Sequence, residues 1–366
     1  MTHPPLLPVP LRADPPTLAR RLGISVAAVE LARDCEIIDL HVDTFIPPRL
    51  WGYRVLGRHK SGPLGRAFFG HLDLPRIREG GLSGAMWSIT TNPFRPPDSR
   101  WRTFLRNLKG LQRMVHRSQG AMQLARTLGE YKAARARGAH AVIPVVQGAN
   151  AIEGAPRGVA DIPDNLIVRM TLVHLTNSVY GATSSPHHLL RRNKHLTREG
   201  HTLVEQLNAQ KVFVDLAHIH PTAFWDAVKV HDPTQPLLCT HTGVTGVKKH
   251  WRNLDDAQLR AIADTGGTVG VIFSAHFLQT RRGPSDADMV IDHMAHIIRT
   301  IGEDHVSVGS DFDGAIIPPA DLAGGDHYPV LVEKMLVRGW SEQRIRKVLA
   351  LNFERCFHSG IYFRCY

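Results

Sequence analysis

Eight short apolar runs rich in β-forming residues recur along the chain. They constrain its fold more than any other feature. They are Glu36–Leu40, Gly84–Ile89, Ala141–Val146, Met170–His174, Val212–Leu216, Pro236–Thr240, Thr268–Phe273 and His305–Gly309. Most are too apolar to alternate, which is the pattern of strands buried on both faces of a parallel sheet. Amphipathic stretches fill the gaps. Trp101–Arg137 is long and Arg-rich, and Thr197–Ala209 starts on an N-cap threonine. Asp255–Asp264, Asp286–Ile301, Tyr328–Arg338 and Ser341–Leu351 follow. Eight strand–helix units predict an α/β fold, a (β/α)8 TIM barrel. A doubly wound open sheet is the alternative, and it is weakened because no GxGxxG follows the first run. Residues 1–34 are expected to form an N-terminal arm and helix, the first 14 a loose Pro-rich arm, and 35–366 the single barrel. Gly52–Gly70 and Asn92–Asp98 read as loops from their glycines and prolines.

Composition narrows the function. With 43% apolar and 21% charged residues, wholesale disorder is excluded. The chain carries 44 Lys+Arg against 33 Asp+Glu, a net +11. The basic residues occur in short pairs such as Arg191-Arg192, Lys248-Lys249 and Arg281-Arg282, with no long tract. They read as a solvated surface, so no nucleic-acid partner is expected. Cys35, Cys239, Cys356 and Cys365 form no CxxC pair, which suits a reducing compartment. Met1–Arg21 lacks an apolar core of the secretory type, and no run of about 18 apolar residues occurs. A cytoplasmic protein without a membrane partner is the expectation. The 22 histidines point instead to metal chemistry.

A barrel gathers the C-terminal ends of its strands at one mouth. The first run continues into His41-Val42-Asp43, whose alternation sends His41 and Asp43 to one side. The third run ends near Gln147, the fourth at His174, the fifth at His218 and the sixth at His241. The eighth continues into Ser310-Asp311-Phe312-Asp313-Gly314. A lone strand-end histidine is usually structural. Several together with aspartates need partners if buried, and a metal supplies one. His and carboxylate ligands suit zinc or another first-row divalent ion. Such an ion lowers the pKa of bound water toward about 7, and a carboxylate nearby can move the proton.

These residues and their order resemble the membrane (renal) dipeptidase family, a branch of the amidohydrolase-like metal-dependent hydrolases. The likeness runs from about Cys35 to the C-terminus. It is carried by IIDLHVDT at 37–44, LDLPRIREGGLSGAMWSI at 72–89, VFVDLAHIH at 212–220, HWRNLDD at 250–256 and VGSDFDG at 308–314. The resemblance implies a TIM barrel, two Zn2+ ions and hydrolysis of dipeptides by metal-bound hydroxide, often with a D-residue at the C-terminal position. A dipeptide-like small molecule is the implied partner, and many relatives are homodimers. By position, His41 and Asp43 match the ligands of the first metal, and His218 and His241 those of the second. His174 matches the histidine that contacts substrate and stabilises the oxyanion. Arg252 matches the arginine that holds the terminal carboxylate, and Asp311 the acid/base aspartate. Asp313 reads as a turn residue bonded to backbone.

The chain departs from the family pattern at VVQGAN, 145–150. Gln147 stands where the family has a metal-bridging glutamate, and Asn150 where it has a histidine. Glu153 would need a six-residue shift to substitute. An amide offers one oxygen and no charge, so one metal or none is expected instead of two. Ser274 also replaces an aromatic residue that the family often places by the substrate. Two alternatives therefore stand beside the dipeptidase: a diverged enzyme acting on another amide or lactam, and a non-catalytic relative.

Overall fold

The computed structural model describes residues 13–59 and 67–359. Its strands are β1 Ile38–Val42, β2 Gly84–Ile89, β3 Met122–Leu124, β4 His140–Gln147, β5 Arg169–Thr171, β6 Phe213–Asp215, β7 Leu238–Thr242, β8 Thr268–Val271 and β9 Val306–Val308. All neighbours pair in parallel, in the order β2-β1-β9-β8-β7-β6-β5-β4-β3. β2 also pairs with β4, from Gly84 opposite Ala141 to Ile89 opposite Val146. That pairing closes eight strands into a barrel and leaves β3 outside it. The architecture is the expected (β/α)8 barrel. Every residue of β1, β2 and β4 is buried, as two covered faces demand.

Most expected helices form, with caps that explain their starts. Thr197 accepts from the Gly200 amide at 3.0 Å and opens Arg198–Ala209. Asp255 and Gln258 exchange side-chain and backbone bonds in a capping box that opens Asp256–Asp264. Trp101–Arg137 is not one helix. It divides into Pro97–Arg117, β3 and Leu128–Ala136. The break lies at Ser118, whose hydroxyl bonds back to Val115 O at 2.6 Å, and at Gln119 and Gly120, both with positive φ. Two successive left-handed residues reverse the chain, and Met122–Leu124 then adds to the free edge of β4. The expected arm lies almost wholly outside the described residues, as do residues 60–66 of the Gly52–Gly70 loop.

β5, β6, β8 and β9 are shorter than expected, and at β5 and β6 this moves a site histidine. β5 stops at Thr171 and β6 at Asp215, each three residues before its histidine. The Ala217 amide turns to the Asp215 carboxylate at 3.0 Å, and His218 has φ +67°, so the ladder cannot continue. His174 and His218 therefore sit on loops leaving the mouth. Elsewhere the backbones crowd. A Cβ on Gly270 or Gly309 would overlap the Thr240 carbonyl. Glycine is what lets β8 and β9 lie so close to β7.

At the opposite, N-terminal end of the barrel, Glu36 and Glu354 share a proton-binding site beside Lys132. The lysine Nζ lies 2.5 Å from Glu354 Oε2 and 3.3 Å from Glu36 Oε2. Burial, reinforced by the bond to Glu36, pushes the Glu354 carboxyl up to about 7. A raised carboxyl stabilises the fold while protonated, and that contribution is lost as pH rises from its ordinary range through about 7. Glu354→Gln is expected to raise stability more at pH 8, where the native site disfavours the ionised carboxyl, than near pH 4, where Glu354 is protonated in both states. Thermal unfolding of both proteins at the two pH values checks this. An equal shift at both would remove the shared proton.

Candidate metal centre

The mouth of the barrel collects the residues singled out in the sequence. β1 carries His41, fully buried, and delivers Asp43 one residue past its end. His41 Nε2 lies 3.7 Å from Asp43 Oδ1 and 3.6 Å from Asp311 Oδ1. β7 carries His241, whose ring stacks on His41 with centroids 3.8 Å apart. One ligand atom each from His41, His241 and Asp311 falls within 4.8 Å of the others. The backbone laces these segments together. The Asp311 amide donates to His41 O at 2.9 Å, and the Asp43 amide to Phe312 O at 2.8 Å. Asp311 itself has φ +63°, a strained backbone for an aspartate that the lacing maintains.

His218 completes a second pair. Its Nε2 lies 2.8 Å from His241 Nε2, and the His174 ring meets His218 edge-on at 4.6 Å. Gln147, at the end of β4, turns its amide nitrogen to both imidazoles, 3.3 Å from His218 Nε2 and 3.5 Å from His241 Nε2. Arg252 is buried, and one guanidinium nitrogen donates to His241 O at 2.6 Å. Asp313 accepts from the amides of Gly70 and His71 and from Thr44 Oγ1, so it ties a distant loop to the rim rather than bonding its own turn. Glu153 is engaged elsewhere, paired with Arg100 and accepting from the Val179 amide at 3.4 Å.

Three observations test whether this donor set suits a cation. His41 Nε2, Asp43 Oδ1, Asp311 Oδ1 and Gln147 Oε1 are buried without a hydrogen-bond partner. Buried polar atoms left bare are costly, and several in one place indicate a shared partner. The second is the tautomer of His241. Thr240 Oγ1 gives its proton to Asp215 Oδ2 at 2.7 Å and so accepts from His241 Nδ1 at 2.9 Å. That leaves the Nε2 lone pair facing the cluster. The third is electrostatic. Burial, with the charge of Arg252 and of the neighbouring histidines behind it, holds His218 and His241 far below the ordinary imidazole value, in the neutral form that ligates. Burial also lowers His174 to about 4. Burial and then the Asp43 charge push Asp311 well above the carboxylate range. The set fits a divalent cation bound between His41, His241 and the two aspartates. It fits a second one poorly, because Gln147 presents N–H donors to the imidazoles that would hold it.

Three buried polar residues behind the cluster escaped the sequence reading. Arg169, just before an expected apolar run, and Asp215 and Thr240, within such runs, are fully buried. A charge inside a doubly covered strand is the signal that marks them, since it cannot be left unpaired there.

Comparisons with known proteins place the chain in a family. The model of the family "Membrane dipeptidase (Peptidase family M19)" matches residues 26–360. "Dipeptidase verJ" of Clonostachys rogersoniana is 27% identical over 79% of this chain and 76% of its own. The "Uncharacterized protein in pqqA 5'region" of Klebsiella pneumoniae is 39% identical over 44% of this chain, a match that spans only 59% of that relative. The crystal structure of a metallo peptidase from Rhodobacter sphaeroides, liganded with a phosphinate mimic of the dipeptide L-Ala-D-Ala, superposes with a TM-score of 0.79. It is 26% identical and covers 89% of this chain and 99% of its own. Among the described residues no helix is long and apolar enough to cross a membrane. With the family model spanning nearly all of the barrel, this chain belongs to the membrane dipeptidase family.

Proposed function

We propose that this chain is a metal-dependent hydrolase of dipeptides that accepts a D-residue at the C-terminal position and works with one divalent cation, most suitably Zn2+. The observation that carries the reading is the convergence of ligand atoms from His41, His241 and Asp311 within 4.8 Å, with bare oxygens on Asp43 and Asp311. The phosphinate mimic of L-Ala-D-Ala in the Rhodobacter sphaeroides relative supports the substrate class.

His41, Asp43, His241 and Asp311 would hold the cation, with His218 behind His241. Bound there, a divalent ion supplies Lewis acidity, which makes a nucleophile of water at neutral pH and polarises the scissile carbonyl. The remaining work falls to side chains. Asp311 takes the proton of the attacking water on its bare oxygen and passes it to the departing amine. His174, neutral and half-buried, faces the developing oxyanion. Arg252 anchors the substrate's terminal carboxylate through its unpartnered Nε, which limits the acceptable length to two residues. Water is kept from the cluster by burial of His41, Asp43, His218, His241, Arg252 and Asp311.

Metal analysis of the purified protein, paired with turnover of L,L- and L,D-dipeptides, tests the reading. One cation per chain is expected, with turnover lost on chelation and restored by Zn2+. A protein without bound metal that turns over no dipeptide with any added divalent ion would overturn it. It would then leave a remodelled amide or lactam hydrolase, or a non-catalytic relative, as the reading for the Gln147 substitution.

A further inference from the structure

Arg49 belongs to no expected site, yet its guanidinium lies at the mouth. It comes from the short helix Ile46–Trp51, which begins three residues after Asp43. Nη1 donates to Thr90 O at 2.9 Å, Nη2 to Thr90 Oγ1 at 3.0 Å and Nε to Phe45 O at 3.1 Å. Its central carbon stands 5.7 Å from the centroid of the Phe45 ring, a cation–π contact that helps to fix the plane. Thr90 directly follows β2, and strand alternation puts it on the face of Ser88. Ser88 lies opposite Val145 of β4, so Thr90 reaches the level of Gln147. The arginine is thereby held on the rim that carries Asp43 and Gln147.

This charge lacks an anion of its own. A guanidinium has five N–H groups, and neutral oxygens take three of them. Among the described residues no carboxylate pairs with it. Burial works against its charge and the nearby Asp43 carboxylate supports it, but Asp43 turns its Oδ1 toward His41 Nε2, at 3.7 Å. A half-buried cation bonded only to neutral oxygens still has room for a charged partner. Below it on the same face, Ser88 Oγ is fully buried without a hydrogen-bond partner. Its place in the ring opposes that of Arg252. β2 and β7 stand four steps apart in either direction round the closed barrel. Arg252 follows β7 and donates to His241 O. Two guanidinium groups therefore stand on opposite sides of the cluster of His41, His241 and Asp311. A dipeptide with its terminal carboxylate at Arg252 and its scissile carbonyl over the cluster directs its N-terminal residue toward β2.

We infer that Arg49, oriented by Thr90, is a specificity-determining residue that selects dipeptides with an acidic N-terminal side chain, aspartate or glutamate. The inference rests on the proposed dipeptidase reading and supplies the side chain that the reading leaves open. The incoming carboxylate accepts charge-assisted bonds from the two remaining N–H groups of Arg49, and Ser88 Oγ offers it another donor. A basic side chain in the same place meets like charge and is rejected.

The test compares L-Glu-D-Ala with its neutral isostere L-Gln-D-Ala on the full chain supplied with Zn2+. The ratio of their kcat/KM values is expected to favour the glutamyl substrate by at least about tenfold, the scale of a hydrogen bond between charged groups. Arg49→Met keeps much of the stem and removes the charge, and it should bring the ratio to about one. The ratio is read within one protein, so a general loss of rate does not imitate the effect. Equal or better use of the glutaminyl substrate by the unaltered chain overturns the inference, as does an undiminished ratio in Arg49→Met. Should that variant not fold, Arg49→Lys takes its place. It keeps a charge without the planar fork, and the ratio should fall by at least about threefold. An unchanged ratio there also overturns it. If no dipeptide is turned over, the proposed activity fails, and calorimetric binding of the same two dipeptides decides separately on Arg49. Preferential binding of L-Glu-D-Ala that Arg49→Met abolishes upholds its role, and equal or undetectable binding of the pair defeats it.

Discussion

Asp311→Asn is expected to lower kcat on a dipeptide by about 10²- to 10⁴-fold, the range for loss of a positioned general acid–base. The geometry gives the reason. Asp311 holds a bare, buried oxygen 3.6 Å from His41 Nε2, and burial together with the Asp43 charge raises its proton affinity well above that of an ordinary carboxylate. A group of that kind can take a proton from water and return it to an amine within one turnover. Asparagine has the shape without the exchangeable proton. KM should change little, because Arg252 rather than Asp311 is assigned the substrate carboxylate. Metal content must be measured on the same sample, since Asp311 also offers a ligand atom. Retained metal with lost turnover identifies the proton carrier. Retained metal with wild-type turnover would take Asp311 out of the proton path.

Gln147→Glu is expected to change stoichiometry as well as rate. In the present chain the amide turns N–H donors toward His218 Nε2 and His241 Nε2 at 3.3 and 3.5 Å. Those donors stand where the family pattern has a bridging carboxylate between two cations. A carboxylate would supply lone pairs and a negative charge in a setting of low dielectric, where both count most. Metal content should rise from one toward two per chain, with affinity for the second ion higher by at least about 10- to 100-fold. Dipeptide turnover should rise with it. If neither moves, the substitution is incidental and the activity is governed elsewhere in the pocket.

Much of this centre was legible in the chain because its ligands sit where strand periodicity and barrel topology place them. His41 and Asp43 follow from alternation in β1, and His241 lies within β7. Asp311 follows the short strand β9. His174 and His218 were legible as residues but not as strand ends; after β6 the Asp215 carboxylate captures the Ala217 amide and His218 takes a positive φ, which ends the ladder there. Arg169 was hidden for a different reason. Its charged and imidazole partners, Asp215 and His41, lie 46 and 128 residues away and are neighbours only in space, and no local pattern encodes such a pairing. The same holds for β3. Nothing in the composition of Trp101–Arg137 forces a break except Gln119-Gly120, and a single glycine inside a helical pattern is often tolerated.

The crowding of β8 and β9 against Thr240 gives the centre an unusual kind of ruler. Thr240 precedes His241, and Gly309 stands two residues before Asp311. The spacing between His241 and Asp311 therefore depends on two absent side chains, at Gly270 and Gly309. A single methyl group there would pry the jaws apart from behind. Positions that carry no chemistry thus help to set the geometry of the mouth, and a search for functional residues confined to donors and acids would pass over them.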